Sequence, residues 1–369
     1  MTGRIDSTLP FAPNQHLIAT FARLGAPANA RNQLLSDKNG ALSVTELLNE
    51  SPTPPVTLRI PLRSYSINLG LPLLLLAFSS VTTTAIGARF MRNFLDGLPP
   101  VVSESDLWPW PWLLADKSRF LLGWPFSVTL LGILLTHEFG HYFACRIHGV
   151  RTTLPWVLPA PTLSGTAGAV IQIRGRIPNR CALMDIGIYG PLAGYLASLI
   201  AVFVGFLLSR PAPIDQVTPL IAFGEPLTFR LAHLVLAFLH PGSPAFGHCI
   251  AHPALIAGWV GLFITSLNLI PAGQLDGGHI LYAIAPRWHK RLVYAIPAVL
   301  FVCGFFFWVG WILWAGLLLL PAMRHPRVTT DEPLGSCRLI LSGVALVIFV
   351  LTFSAAPFAE SSVLHYLRY

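Results

Sequence analysis

The stretch PFSVTLLGILLTHEFGH, residues 125–141, decides how this chain is read, because an uncharged apolar run ends directly on three ionisable side chains. Phe120 to Thr136 contains no Asp, Glu, Lys or Arg, and about 20 apolar residues suffice for a helix to cross a bilayer. On a helix, positions four apart share a face. His137 and His141 can therefore direct both imidazoles at one metal ion while Glu138 reaches a water bound to it. An ionisable residue in a spanning helix costs at least roughly 2.5–3.5 kcal/mol, so its presence there points to function.

The rest of the composition agrees with a membrane setting. Of 369 residues, 54% are hydrophobic and 11% charged, against roughly 25% charged in soluble domains; the mean hydropathy is +0.63. An ordinary water-soluble enzyme and a disordered chain are both excluded. The net charge of +8 comes from basic residues in loops flanking apolar runs, a topology signal facing anionic lipid rather than a nucleic-acid surface. No nucleic-acid partner is expected. The five cysteines are scattered without a CxxC pair, so they read as small buried apolar residues.

Charge-free stretches cover residues 64–88, 120–136, 186–209, 231–275, 292–323 and 339–359. The stretch 292–323 is too long for one untilted helix, and its centre holds Trp308, Gly310 and Trp311, which suit an interface better than the midplane; a helical hairpin is expected. Residues 229–248 are broken by Pro241, Gly242, Pro244 and Gly247, which predicts an interfacial or re-entrant helix. Arg146, Arg151, Arg174, Arg176 and Arg180 mark one loop as cytoplasmic; Arg287, Lys290 and Arg291 mark another, and Arg324, Arg327 and Arg338 a third. With the N-terminus inside, these loops fit about seven transmembrane helices and an outside C-terminus. The fold expected is an all-α polytopic membrane protein. Residues 1–63 read as a polar arm with one short helix near Ser43 to Asn49, 64–359 as the membrane domain and 360–369 as a tail. The first twenty residues lack a basic start followed by an apolar core, so the first span is expected to target the chain.

A second motif, NLIPAGQLDGGH at 268–279, contains Asp276, the one acid between Glu225 and Asp331. A lone buried carboxylate needs a counter-charge, and a catalytic zinc wants a third protein ligand with one position open. Zinc at +2 balances Asp276 and Glu138 at −1 each. Pro271, Gly273, Gly277 and Gly278 are read as interrupting the helix, and irregular backbone at membrane depth requires protein or water around it.

HEFGH in one membrane helix and NLIPAGQLDGGH in a later one resemble the site-2 protease family of intramembrane zinc metalloproteases. Gly190-Pro191-Leu192-Ala193-Gly194 is similar to that family's GPxAG-like element, and Gly165 to Arg176 (GTAGAVIQIRGR) resembles its β-forming loop. The likeness covers about residues 120–285, the expected catalytic core, and with no domain-sized loop present it points to the PDZ-free branch. It implies one zinc per chain held by His137, His141 and Asp276, Glu138 as catalytic base and Asn268 assisting. It also implies single-span or multispan membrane-protein substrates, and a small membrane-associated β element at 165–176. The setting expected is a bacterial inner membrane with the active site toward the cytoplasm. A multipass ion or metal transporter using the same cluster is the alternative, since broken helices with intramembrane acids also occur there. His279, one turn past Asp276, is a candidate to orient it. His148, His233, His240, His248, His252 and His289 read as loop or interfacial side chains. Gly190 and Gly194 read as allowing close helix packing, and Trp108, Trp110 and Trp112 as an interface anchor.

Overall fold

The computed structural model describes residues 69–213, 217–242, 244–323, 328 and 333–367. The expected arm and its short helix at 43–49, Arg324 and Arg327 lie outside these residues. The described chain from residue 69 onward forms one unit.

That unit is mostly helical. α1 (Gly70–Leu95), α2 (Glu104–Leu107) and α3 (Trp110–Ala115) lead into a short 3₁₀ segment and α4 (Trp124–Ile147), which carries HEFGH. A two-stranded antiparallel sheet follows, β1 (Trp156–Pro159) against β2 (Thr166–Val170). Then come α5 (Arg180–Leu208), a two-residue strand β3 (Arg210–Pro211), α6 (Leu227–Leu239) and β4 (Cys249–Ile250), which pairs with β3. α7 (Pro253–Asn268), α8 (Asp276–Ile284), α9 (Pro286–Phe306), α10 (Gly310–Leu319), α11 (Ser336–Thr352) and α12 (Val363–Tyr366) complete it.

Helix limits follow local chemistry. Pro125 opens the first turn of α4, where its missing N–H costs nothing and its fixed φ suits the helix. α4 ends where Gly149 takes φ +66° and the Val150 N–H closes on the Cys145 carbonyl at 2.8 Å, a left-handed stop that glycine adopts without a Cβ clash. Asn179 caps α5 by accepting the Ala182 N–H at 2.8 Å.

Four helices, Gly70–Leu95, Lys117–Ile147 (α4 with the preceding 3₁₀ turns), Arg180–Leu208 and Pro286–Phe306, are long and apolar enough to cross a membrane. Leu227–Leu239, Pro253–Asn268, Gly310–Leu319 and Ser336–Thr352 are apolar but shorter. Seven spans were expected; among the described residues four helices have spanning length. Two of these extend well past the charge-free stretches. α4 continues eleven residues beyond Thr136, and α5 begins at Arg180 and includes Asp185, because long or paired charges are tolerated in terminal turns. The 292–323 stretch does turn back, with α9 and α10 separated by Phe307 to Val309. The expected element at 229–248 is the 13-residue α6, which begins at Leu227, about 20 Å long at 1.5 Å per residue and short of a 30 Å hydrocarbon core. Gly277 and Gly278 lie inside α8 rather than breaking it; the irregular backbone is confined to 269–275.

The outer faces of these helices present Phe78, Leu121, Val128, Ile200, Leu207, Leu313 and Ile340, all exposed. Such continuous apolar surface suits lipid rather than water. Without a hydrophobic force between helices, association depends on close backbone approach. A Cβ at Gly205 would lie 2.5 Å from the Leu255 backbone, and one at Gly258 3.0 Å from the Val202 nitrogen, so α5 and α7 pack nearly backbone to backbone. The principal core gathers Phe90, Phe126, Leu130, Phe206, Phe229, Leu255 and Trp259. Of the cysteines, Cys145 and Cys249 are buried but Cys337 is exposed, contrary to the expectation for that one.

Two ends can be told apart. At one, Val309 N–H bonds the Ser361 carbonyl at 2.8 Å and Phe94 stacks edge-on to His252. At the other lie the C-terminus of α4, the N-terminus of α5 and the start of α11, joined through Asp185. The β1–β2 hairpin lies against the middle of α1, where Ser79 Oγ donates to Val157 O at 2.9 Å and Thr82 Oγ1 to Gly165 O at 2.6 Å. Gly165 has φ +77°, and a Cβ on it would lie 2.6 Å from the Thr82 carbonyl, so both its backbone and its contact require glycine. The β element expected at 165–176 thus starts at Thr166 and pairs with residues 156–159.

Trp112 lies under two guanidinium groups, those of Arg89 and Arg119. Beside it, Arg89 binds the buried Asp106, which also accepts the Val102 and Ser103 N–H groups at 2.9 and 3.0 Å. Burial alone would raise the Asp106 carboxyl, but these hydrogen bonds and the Arg89 charge outweigh it and hold the group below the usual carboxylate range.

Candidate metal centre

α4 carries His137 and His141 one turn apart on the face it turns to α5, and Glu138 beside them; all three are buried. Their ligand atoms lie within 4.8 Å of one another. Asp276, first residue of α8, enters from the opposite side. Its Oδ2 lies 3.3 Å from His137 Nε2 and 3.3 Å from His141 Nε2, and the two Nε2 atoms are 3.0 Å apart.

The ring of His141 is oriented by α5. Its Nδ1–H donates to the Ile186 carbonyl at 2.6 Å, and because a carbonyl only accepts, Nε2 of the neutral ring carries the lone pair toward the centre. The two glycines flanking Pro191 do more than shorten a helix contact. A Cβ at Gly190 would fall 2.0 Å from His141 Nε2, and one at Gly194 2.7 Å from His137 Nδ1. Both imidazoles occupy space that any side chain would take.

A tetrahedral zinc with N and O ligands at about 2.0–2.1 Å separates them by about 3.3 Å. The 3.0, 3.3 and 3.3 Å observed here are that triangle. Two imidazole nitrogens and a carboxylate oxygen facing one point form a donor set for a divalent cation, with the fourth position left for water. The residues therefore fit a zinc ion.

Glu138 is buried beside this triangle. The Asn268 side-chain nitrogen, at the C-terminus of α7, is 3.3 Å from His137 Nε2. Every site residue expected from the sequence is thus within one cluster. His279 packs its Cβ against Gly187 across α5, where a Cβ would approach within 3.0 Å. The other histidines are spread elsewhere: His252 caps α7, accepting the Ala254 N–H, and His289 lies 3.4 Å from the Gly273 carbonyl. Three histidines depart from the loop or interfacial expectation: His252 and His289 are buried, and His148 pairs with Asp185 at 2.8 Å.

The sequence reading missed the Ile186 carbonyl and the steric part played by Gly190 and Gly194. The first is a backbone group that residue type does not report. The glycines carried a signal in their four-residue spacing, which matches the spacing of the histidines they accommodate. The transporter alternative finds no support, since the ionisable groups converge on one point instead of lining a path.

Comparison with known proteins gives one family whose model matches, peptidase family M50, over residues 125–310. Among curated proteins the chain is 31% identical over 244 residues to "Probable zinc metalloprotease EGY1, chloroplastic" of Arabidopsis thaliana, covering 62% of this chain and 42% of that protein. It is 36% identical over 163 residues to the protein of the same name from Oryza sativa subsp. japonica, covering 42% and 27%. The chain thus spans less than half the length of these relatives. Among solved structures it is similar to a site-2 protease from Methanocaldococcus jannaschii, at 20% identity over 66% of this chain and 81% of that one, with a TM-score of 0.28.

Proposed function

Because the chain belongs to peptidase family M50, the site-2 proteases, we propose that it is an intramembrane zinc endopeptidase acting on peptide bonds within or near the transmembrane helices of membrane-protein substrates. The observation that carries this reading is the triangle of His137 Nε2, His141 Nε2 and Asp276 Oδ2 with Glu138 beside it. In the reading His137, His141 and Asp276 hold one zinc. Zinc bound there supplies Lewis-acid polarisation of the scissile carbonyl and a water acidic enough to be deprotonated near neutral pH. Glu138 takes a proton from the attacking water and passes it to the departing amine, so the hydroxyl ends on the acyl carbon and the proton on nitrogen. Asn268 donates from its amide to the substrate or to the oxyanion.

A helical substrate has its amides already paired, so it must unwind locally before attack. The outer edge of β2 suits capture of the unwound segment as an added strand. The lipid bilayer is the surrounding partner, and the setting we infer is a bacterial inner membrane with the Arg338 and Lys290 end toward the cytoplasm. Residues 64–359 form the membrane domain, with 120–285 its catalytic core. In this topology α1, α4, α5, α7, α9, α10 and α11 make seven passes, the shorter ones through a thinned or protein-lined region. The return of α10 to the Asp276 end supports the hairpin, since a Cβ on Gly273 would lie 2.9 Å from the Met323 carbonyl.

The test uses Glu138→Gln. The amide keeps the hydrogen bond to water but accepts no proton, and losing a general base typically costs about 100- to 10,000-fold in rate. Wild type and variant are reconstituted in lipid with a single-span model substrate, and zinc and cleavage are measured on the same samples. Retained zinc with cleavage lowered in that range is expected; wild-type cleavage by the zinc-loaded variant would remove Glu138 as the base.

A further inference from the structure

Two turns below His141 on α4, a second cluster ties three helices together. The carboxylate of Asp185 in α5 is buried. It accepts Arg338 Nε on Oδ1 at 2.8 Å, and both Arg338 Nη2 and His148 Nε2 on Oδ2, at 2.7 and 2.8 Å. Arg338 lies in the first turn of α11, and His148 is the residue closing α4. The guanidinium meets the carboxylate side-on with two parallel bonds, the most directional ion pair a protein makes.

The neighbour of Asp185 in sequence is Ile186, whose carbonyl takes the Nδ1–H of His141. His141 and His148 are seven residues apart, nearly two whole turns, so they share one face of α4. α4 therefore meets α5 at two successive residues, His148 at Asp185 and His141 at Ile186. A slide or rotation of α5 that broke the Arg338 fork would carry the Ile186 carbonyl away from the imidazole it orients. Arg338 also lies outside residues 125–310, the part of the chain matched to the family.

We propose that the Asp185–Arg338–His148 cluster is a positioning clamp for the metal centre. By pinning α5 to α4 and α11, it holds the Ile186 carbonyl where it sets the tautomer and aim of His141. The C-terminal helix α11 thereby takes part in metal binding without touching the metal. This rests on the assignment of His137, His141 and Asp276 as zinc ligands.

The experiment uses the full chain in lipid nanodiscs. Zinc dissociation constants are measured by competition with a chromogenic chelator, and the visible spectrum of the cobalt-substituted protein reports ligand geometry. Outer partners of metal ligands typically contribute 10- to 100-fold in affinity. Because the clamp acts through one backbone carbonyl, Arg338→Gln and Asp185→Asn are each expected to weaken zinc about 10-fold and to shift the cobalt bands. Arg338→Lys keeps the charge but not the fork, and falls between wild type and Arg338→Gln. The double variant should be no weaker than the worse single one, as for residues acting as a unit. Arg92→Gln, which removes an exposed pair with Asp96, serves as the control and leaves both readings unchanged. Wild-type affinity and cobalt spectrum in Arg338→Gln would overturn the clamp, as would an equal loss in Arg92→Gln. Should Asp185→Asn fail to fold, the two variants at the partly exposed Arg338 decide the matter. Failure of the underlying ligand assignment looks different: His137→Ala would then keep zinc.

Discussion

α4 and α5 carry two buried carboxylate clusters built from similar parts. In one, Asp276 meets His137 and His141; in the other, Asp185 meets His148 and Arg338. The difference is the permanent cation. Arg338 balances Asp185 at all accessible pH with a fork of donors, leaving no lone pair aimed at empty space. Around Asp276 the two imidazoles present nitrogen lone pairs instead, and their shared point has the spacing of a metal's ligands. Replacing one guanidinium by one imidazole separates a structural tie from a place where chemistry can happen.

The largest effect should come from the open cluster. Asp276→Ala removes one of three ligands, so zinc affinity should fall by more than the roughly 100-fold upper range of outer partners, and cleavage with it. Metal analysis of the purified variant checks this, and full zinc content would take Asp276 out of the centre. Next are the glycines that make room for the rings. Gly190→Ala puts a methyl 2.0 Å from His141 Nε2, on the binding nitrogen itself, whereas Gly194→Ala meets His137 at 2.7 Å on the far side of its ring. Zinc affinity should fall about 100-fold for the first and about 10-fold for the second, the scale of outer-shell changes. The order is measurable by the same chelator competition, and equal effects would break the geometric account.

The smallest effect concerns a third buried carboxylate outside the membrane-spanning segments. Asp106 is held below its ordinary value near 3.9 by Val102, Ser103 and Arg89 against the opposing effect of burial. A depressed carboxyl contributes stability that is fully present above the unfolded pKa and is lost as pH falls through the folded one. Thermal unfolding in detergent between about pH 5 and pH 3 should therefore drop more steeply for wild type than for Asp106→Asn. Parallel curves would show that this cluster has no linkage to pH.

How much of this was readable from residue order depended on distance along the chain. His137, Glu138 and His141 were legible because helical periodicity alone puts them together. Asp276 was legible because it stands as the single acid in a long apolar region, and such a group needs a partner. Asp185 and Arg338 are 153 positions apart, and both look like ordinary loop-flanking charges until α5 and α11 are seen side by side. Helix limits were less legible for a related reason: charge-free length underestimates helices whose terminal turns carry paired or snorkelling charges, as α5 does with Arg180 and Asp185. The hairpin's position was hidden too, because its bonds to α1 run from serine and threonine hydroxyls that periodicity treats as neutral.

The triangle also has a meaning for the chain as a polymer. His141 and Asp276 are about 135 residues apart in sequence, so a metal ion held by both, as proposed, would close a long loop in the way a disulfide does. Closure of so long a loop removes conformational freedom mainly from the unfolded ensemble, and the cost grows only slowly with length. The binding energy of such an ion would then be folding energy as well. The atom proposed to make the site reactive would also act as a staple between α4 and α8.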